Sequence, residues 1–312
     1  MPKAKKADRT EDKYKYSTGQ LFNFARDSYL ERTSRPIYAV VFLLPFIIFY
    51  EVGTFRINTD VLNQSQIRVV AFVWLQRLLE SLGFGGKLAW VAPPLAVVMI
   101  LIALQITSRK PWRFWFGDVL PMAVECILLA VPLIVLTLFL SSSAGAQSHV
   151  VRVDHDMRQG QTAWPPSRSS AAGPRPSSPN GRAGSEEPGR SLLANIVTGI
   201  GAGIYEELVF RLVLICVLML LFQDALGLTH RNAIILSVLI SAALFSAHHH
   251  VILLDGKLGQ TAAFDWAKFG FRTIAGIYFA VLFAIRGFGI AAGTHAFYDM
   301  IATMINAFFF PQ

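Results

Sequence analysis

Long apolar stretches separated by short polar breaks are the feature that most constrains this sequence. Each is about as long as the roughly 20 residues that an α-helix needs to cross the hydrocarbon core of a membrane. A lipid-embedded backbone must satisfy its hydrogen bonds internally, so such stretches predict helices rather than open sheets. They lie at residues 36–55, 88–106, 119–140, 192–222, 232–254, 264–285 and 290–309. A further stretch at 69–79 has helical spacing and fits either a surface helix or an amphipathic transmembrane helix.

The fold class that follows is all-α: a polytopic transmembrane bundle of about eight helices. Composition agrees, because 54% of the 312 residues are hydrophobic and only 15% are charged, whereas soluble domains carry about 25% charged residues. The net charge is +8, and Lys and Arg flank the apolar stretches, as is typical of the cytoplasmic ends of membrane helices. We expect an integral protein of the cytoplasmic (inner) membrane, with the lipid bilayer and no nucleic acid as partner.

The chain divides into four parts by composition. Residues 1–35 form a polar cytoplasmic tail, and residues 36–140 contain the N-terminal transmembrane helices. In residues 141–191, Ser, Pro and Gly supply 23 of 51 positions, which predicts a disordered linker that has too little apolar surface to offset its ordering entropy. Residues 192–312 form a second membrane domain.

Ionisable side chains inside apolar stretches are costly and therefore indicate function. The N-terminal helices contain little beyond Glu51, for which we expect a position at the membrane interface. The second membrane domain has a concentrated set: Glu206, Glu207, Arg211, His248, His249, His250, His295 and Asp299. Any chemistry is therefore expected in this domain.

Two adjacent acids stand out in the first helix of this domain. Glu207 and Arg211 are four residues apart, the spacing of an ion pair on a helix, while Glu206 is rotated by about 100° and faces another neighbour. A dry carboxylate without a counter-charge is suited to act as a general base. The alternative is that both acids bind Arg211 structurally. Gly199 and Gly203 share one face and permit close helix packing.

Histidines follow on two later helices. At most two of the three adjacent imidazoles at positions 248–250 can reach one centre, and a cluster at the membrane interface is the alternative. His295 and Asp299 share a helix face, so the carboxylate can orient the imidazole or join it at a common centre; a satisfied core pair is the alternative. If the acids and imidazoles converge, they provide the base, donor and orienting group that amide hydrolysis requires.

With these residues, the sequence resembles the CPBP family of intramembrane proteases, which includes CAAX prenyl endopeptidases of the Rce type and bacteriocin-processing or immunity proteins. Residues 206–211 match the family motif EExxxR, and residues 245–249 match FxxxH. The third motif, a His followed four residues later by Asn or Asp, is matched by His295 and Asp299. The resemblance covers residues 192–309.

The resemblance implies an intramembrane endopeptidase in which Glu206 activates the water that attacks a peptide bond. The implied catalytic residues are Glu206, His249, His295 and Asp299, and the implied supporting residues are Glu207, Arg211 and Phe245. In this scheme His295 and Asp299 help to form the oxyanion pocket, and no metal or other cofactor takes part. The implied substrate is a membrane-embedded or lipidated peptide or protein, of the prenylated or the leader type.

Two other functions fit the same residues. Imidazoles and a carboxylate can bind zinc, so a zinc-dependent intramembrane metalloprotease is one alternative, although the motif HExxH is absent. The other is a non-enzymatic transporter or scaffold protein whose buried Glu, His and Asp relay protons or ions.

Overall fold

The structure is a computed structural model. It describes residues 24–25, 27–60, 69–143, 188–254, 257–260 and 264–309. Most of the expected N-terminal tail and residues 144–187 of the expected linker lie outside the described residues.

The described residues before position 144 form helices joined by turns and short irregular segments, as their hydropathy predicts. The oxygen of Ser28 accepts a hydrogen bond from the backbone N–H of Glu31 and so caps the first helix. Pro45 and Pro132 lie inside long helices, where neighbouring helices compensate for the hydrogen bonds that proline removes. The helices are α1 (Tyr29–Thr33), α2 (Pro36–Asp60), α3 (Val70–Ser81), α4 (Ala92–Ser108) and α5 (Val119–Ser143).

The C-terminal half begins with one continuous helix, α6. It is α-helical over Pro188–Glu206, π-helical over Glu207–Leu214, α-helical over Ile215–Met219 and π-helical again over Leu220–Ala225. The elements that follow are α7 (His230–His248), strands β1 (Val251–Leu254) and β2 (Lys257–Gln260), α8 (Trp266–Arg286) and α9 (Phe288–Phe309). Gly287, with a φ of +81°, separates α8 from α9, a conformation that favours glycine.

The all-α prediction is confirmed, with one local correction. Eight of the described helices, α2–α9, have more than one or two turns, which agrees with the expected number. The stretch 232–254, however, is not one helix: α7 ends at His248, and β1 pairs with β2 as a short antiparallel hairpin. An apolar run such as Val-Ile-Leu-Leu has no periodicity that separates a strand from a helix.

Among the described residues, five helical segments are long and apolar enough to cross a membrane: Pro36–Ile57, Phe116–Leu140, Leu192–Ala225, His230–His248 and Trp266–Arg286. Helix α4, predicted as a span, is a shorter apolar helix of 17 residues. Together these segments describe an integral membrane protein.

Helix α9 lies at the centre of the bundle. Every residue from Phe288 to Ala296 is buried, and α9 packs against α2, α5, α6 and α8. A Cβ atom on Gly203 of α6 would lie 2.5 Å from the backbone nitrogen of Ala296, and one on Gly199 would lie 2.7 Å from Cβ of Asp299. The close packing predicted from the two glycines is therefore confirmed, and its partner is α9.

Near the α8–α9 junction, a cluster of polar side chains that we call the Arg286 network joins α1, α5 and α8. Arg286 donates two hydrogen bonds of 2.6 and 2.8 Å to Glu125, and it also donates to the carbonyl of Leu30 and to the hydroxyl of Thr33. The Tyr29 hydroxyl donates to Glu125 at 2.7 Å. Burial and the adjacent Glu125 carboxylate raise the pKa of Tyr29 above its usual value, so the phenol remains a donor.

Candidate active site

The site begins where helix α6 changes its winding. Glu206 is the last residue of the regular α-helical part, and the π-helical segment starts at Glu207. Such segments occur frequently at functional sites. The hydroxyl of Ser241, on α7, donates a 2.7 Å hydrogen bond to the carbonyl of Phe210 within this segment. As a result, α7 is tied to the π-helical part of α6 immediately after the two acids.

Glu207 is fully buried and binds two partners. Nε of Arg211 lies 3.1 Å from its Oε2 atom, which confirms the predicted pair. Nδ1 of His295 lies 2.8 Å from its Oε1 atom. Glu207 therefore links α6 to the central helix α9, a contact that spacing along one helix does not reveal.

Arg211 is held by aromatic rings as well as by Glu207. Its guanidinium lies 4.1 Å from the ring centre of Phe245 and 5.7 Å from that of Phe279, both within the range of a cation–π interaction. Its Nη2 atom donates to the carbonyl of Gly276 at 3.4 Å. These contacts favour the supporting position that the resemblance implies for Arg211 and Phe245.

Glu206 faces imidazoles instead of Arg211. Its Oε1 atom lies 3.5 Å from Nε2 of His248, and its Oε2 atom lies 3.9 Å from Nε2 of His249. The residue is 4% exposed. Both separations exceed the usual length of a hydrogen bond and suit groups that a water molecule bridges. The carboxylate is therefore buried next to two imidazole nitrogens.

His248 lies in the site, but the sequence motifs did not indicate it as a catalytic residue. Its Nδ1 atom lies 2.5 Å from the carbonyl oxygen of Phe245. When Nδ1 donates this bond, Nε2 of the neutral ring carries a lone pair directed at Glu206. The ring packs 4.8 Å from that of Phe210 and 5.8 Å from that of Trp74. The FxxxH spacing points to His249 alone, whereas α7 ends at His248 and brings both rings to the acid.

The other two adjacent histidines occupy different surroundings. The His249 side chain is 12% exposed, and its ring centre lies 4.0 Å from that of His248 and 5.2 Å from that of Phe245. His250 is buried, with its ring 5.0 Å from that of Phe264. Two of the three imidazoles thus reach Glu206, within the limit predicted from the sequence.

His295 and Asp299 lie on the α9 side of the site. Nε2 of His295 is 3.6 Å from Oδ2 of Asp299, so the predicted proximity is observed, but Glu207 is the closer partner. The His295 ring stacks on Phe279 with centres 4.5 Å apart and planes 15° apart. Its two nitrogens therefore face two carboxylates, and its plane is fixed by an aromatic ring.

The N-terminal helices also reach the site. Trp74 of α3 covers His248, and the hydroxyl of Tyr205, next to Glu206 in sequence, donates a 3.2 Å hydrogen bond to Glu51 of α2. Glu51, for which a position at the membrane interface stays a prediction, is half-buried on α2 and bonded to the first site helix. Its position within an apolar stretch was the signal that could have indicated this contact.

One group of residues has the geometry of a metal site. Glu206, His248 and His249 each offer a ligand atom, and the three atoms lie within 4.8 Å of one another. The contact from Nδ1 of His248 to a carbonyl is also the kind of second contact that metal-binding histidines make. The alternative of a zinc enzyme therefore has a structural counterpart.

Comparison with known families identifies the region that contains these residues. Residues 188–301 match the family described as type II CAAX prenyl endopeptidase Rce1-like. The match covers about a third of the chain, and over these residues the chain is similar to the Rce1-like family. Because this family is one of CAAX endopeptidases, the match supports an intramembrane protease. No curated protein and no solved structure matches the chain.

The Rce1-like region includes all the acids and imidazoles of the candidate active site except Glu51. Glu51 and Trp74 precede the matched residues. The site is thus built mostly from the matched region, with two contacts from the helices before it.

Proposed function

We propose that the chain is an endopeptidase that hydrolyses a peptide bond of a membrane-associated substrate with a water activated by Glu206. The observation that carries this proposal is the contrast between the two adjacent acids. Glu207 is engaged by Arg211 and His295 at hydrogen-bonding distance. Glu206 has only longer separations to its two imidazoles, which is the arrangement expected of an acid that holds a water molecule.

The reaction needs one acid that first accepts and later donates a proton. Glu206 accepts a proton from the water while the water oxygen bonds to the carbonyl carbon, and the carbonyl electrons move to the oxygen. When this oxyanion collapses, the carbon–nitrogen bond breaks, and Glu206 returns the proton to the leaving nitrogen. The products are a carboxylic acid and an amine, and no other reactant is required.

The two imidazoles next to Glu206 have different roles in this proposal. His248 accepts a hydrogen bond from the second O–H of the water through Nε2, because Nδ1 donates to the Phe245 carbonyl. His249, the more exposed ring, donates from Nε2 to the oxyanion. Together they orient the water on one side and stabilise the developing charge on the other.

His295 and Asp299 are proposed as neighbours that organise this centre. The resemblance assigns both to the oxyanion pocket. The contacts of His295 with Glu207 and Asp299 support a positioning role instead, since both ring nitrogens face carboxylates. An imidazole held in this way keeps the Oε1 atom of Glu207 in place.

The proposed substrate is a peptide segment presented at the membrane, either a prenylated C-terminal tail or a leader peptide. The site is enclosed by helices α6, α7 and α9, two of which contain candidate membrane spans. A substrate anchored in the bilayer is therefore delivered at the depth of the site.

The test uses purified full-length protein in detergent and a fluorescence-quenched peptide that ends in a prenylated cysteine, two aliphatic residues and one further residue. Glu206→Gln keeps the size of the side chain and removes the base, so we expect cleavage to fall by about 10²–10⁴-fold. Glu80→Gln, which removes an exposed acid from α3, is the matched control and should cleave normally. A wild-type rate in Glu206→Gln would exclude this mechanism.

The second candidate function is zinc-dependent hydrolysis at the same residues. Glu206, His248 and His249 would hold the ion, which when bound would polarise the substrate carbonyl. Under the glutamate mechanism, activity should survive 1,10-phenanthroline, and the purified protein should contain far less than one zinc per chain. Loss of activity with the chelator, restored by added zinc and accompanied by stoichiometric metal, would favour the zinc enzyme.

A further inference from the structure

A hydrogen bond connects the N-terminal helices to the residue that precedes Glu206. The Tyr205 hydroxyl donates to Oε1 of Glu51 at 3.2 Å, and the two residues are 154 positions apart. Tyr205 is fully buried, and Glu51 is half-buried within the membrane-spanning part of α2. An acid within an apolar helix is costly, and neither the family match nor the mechanism above uses it.

The surroundings of this bond are tightly packed. The Tyr205 ring lies 4.9 Å from the ring of Phe72 and 5.5 Å from that of Tyr50. A Cβ atom on Gly201, one helical turn before Tyr205, would lie within 2.2 Å of the Tyr50 ring. The backbone of α6 is therefore pressed against α2 at the level of the Glu51–Tyr205 bond.

The location of this contact gives it a consequence for Glu206. Tyr205 and Glu206 are consecutive residues at the end of the regular part of α6, immediately before the π-helical segment. A change of winding at this point allows small rotations of the helix to alter where Glu206 points. The bond from α2 fixes the rotation of α6 on one side, and the bond from Ser241 to Phe210 fixes it on the other.

We propose that Glu51 is a positioning residue, acting through Tyr205 to hold Glu206 in line with His248 and His249. The inference rests on the proposed function, since it concerns the base of that reaction. Glu51 does not touch the substrate or the reacting atoms. The helices before the matched family region thus contribute to the precision of the site.

The first test compares kcat and KM for the prenylated peptide. Tyr205→Phe and Glu51→Ala each remove the hydrogen bond and should lower kcat by about 10-fold with little change in KM, because a small misplacement of the base affects only the reaction step. Glu51→Gln retains an acceptor oxygen and should restore most of the rate. The double variant should be no slower than either single variant, because both act through one bond.

A second readout does not depend on cleavage. Dicyclohexylcarbodiimide reacts with buried carboxyl groups, and mass spectrometry can follow its reaction with Glu206. We expect the labelling rate of Glu206 to change by at least about twofold in Tyr205→Phe and in Glu51→Ala. Labelling of Glu125, which belongs to the Arg286 network, should stay constant and serves as the internal reference.

Thr54→Val is the matched control on α2. Thr54 is buried, but its hydroxyl bonds only to the Tyr50 carbonyl of the same helix, so its removal should leave both readouts unchanged. Unchanged kcat and unchanged Glu206 labelling in the Tyr205 and Glu51 variants would overturn the proposal. So would losses that multiply in the double variant, because these indicate that the two residues act independently. A rise in KM alone would also overturn it, because this indicates direct substrate contact. An active Glu206→Gln enzyme, by contrast, refutes the proposed function itself.

Discussion

Two buried polar clusters in this bundle use the same kinds of side chain in opposite ways. In the Arg286 network, one guanidinium donates to Glu125, to a hydroxyl and to a carbonyl, with four bonds of 2.6–2.8 Å. Around Glu206, the closest imidazole nitrogens are 3.5 and 3.9 Å away. The first cluster satisfies its charges with short direct bonds, whereas the second keeps a carboxylate at longer distances from its neighbouring imidazoles.

The difference separates a structural role from a chemical one. A buried charge with a complete set of bonds fixes the position of helices, but it has no donor or acceptor available for a substrate. A buried acid with longer contacts costs stability, and such a cost is typical of sites that must bind water or a reacting group. Substitutions in the Arg286 network should therefore affect mainly stability, and substitutions around Glu206 should affect mainly cleavage.

The largest expected effect comes from the same substitution made in each cluster. Glu206→Gln should abolish most of the cleavage, by about 10²–10⁴-fold, while its thermal midpoint stays near that of the wild type. Glu125→Gln removes the charge that pairs with Arg286 and should lower the free energy of unfolding by about 3–5 kcal/mol. Its kcat per folded molecule should be unchanged. Denaturation and cleavage are measured on the same preparations. A large loss of stability in Glu206→Gln, or a large loss of kcat in Glu125→Gln, would contradict the prediction.

The second prediction distinguishes the imidazoles. Phe at position 248 or 249 keeps the contacts with the neighbouring rings but removes the nitrogen that faces Glu206. His248→Phe should lower kcat by about 100-fold, and His249→Phe should have the smaller effect, because its nitrogen is farther from the acid. The order of the two kcat values is the measurement, and the reverse order would restore the assignment based on spacing.

The third prediction concerns the packing that brings α9 to the site. Gly203→Ala places a methyl group against the backbone of Ala296 and should cost about 1–3 kcal/mol of stability, with a parallel loss of activity as α6 and α9 separate. Gly270→Ala on α8 meets no atom within 4 Å and should be neutral or stabilising by up to about 1 kcal/mol. Equal melting temperatures for the two variants would contradict the close approach.

The smallest effect is expected at Asp299. The third family motif accepts Asn or Asp, and an amide can also contact Nε2 of His295. Removal of an orienting carboxylate typically lowers activity by roughly 10-fold. The loss of activity in Asp299→Asn should therefore be smaller than this. A larger loss in steady-state cleavage would show that the negative charge of Asp299 is required.

Much of the bundle could be predicted because its physical signals are local. The apolar lengths predict α2, α5, α6 and α8, since the cost of exposing polar backbone to lipid leaves helices as the solution. The pair of Glu207 with Arg211 follows from a spacing of four residues. The two glycines of α6 predict a close helix neighbour, although they do not identify it as α9.

The rest of the site depends on contacts between distant segments. Spacing within α9 pairs His295 with Asp299, but the closest partner of His295 is Glu207 on another helix. The choice between His248 and His249 depends on where α7 ends, and helix ends are the least certain part of a pattern. The bond between Glu51 and Tyr205 joins helices on opposite sides of the linker, and no periodicity connects them.

The burial of α9 has a consequence for biosynthesis. This helix carries His295 and Asp299, and although it has 22 residues it is not among the five candidate spans. A free energy of about 2.5–3.5 kcal/mol opposes the entry of one aspartate into lipid. Among the described helices α9 is also the last to leave the ribosome, when α2, α5 and α6 have already been made. Its insertion can therefore be templated by these earlier helices, which offer a polar interior in place of lipid.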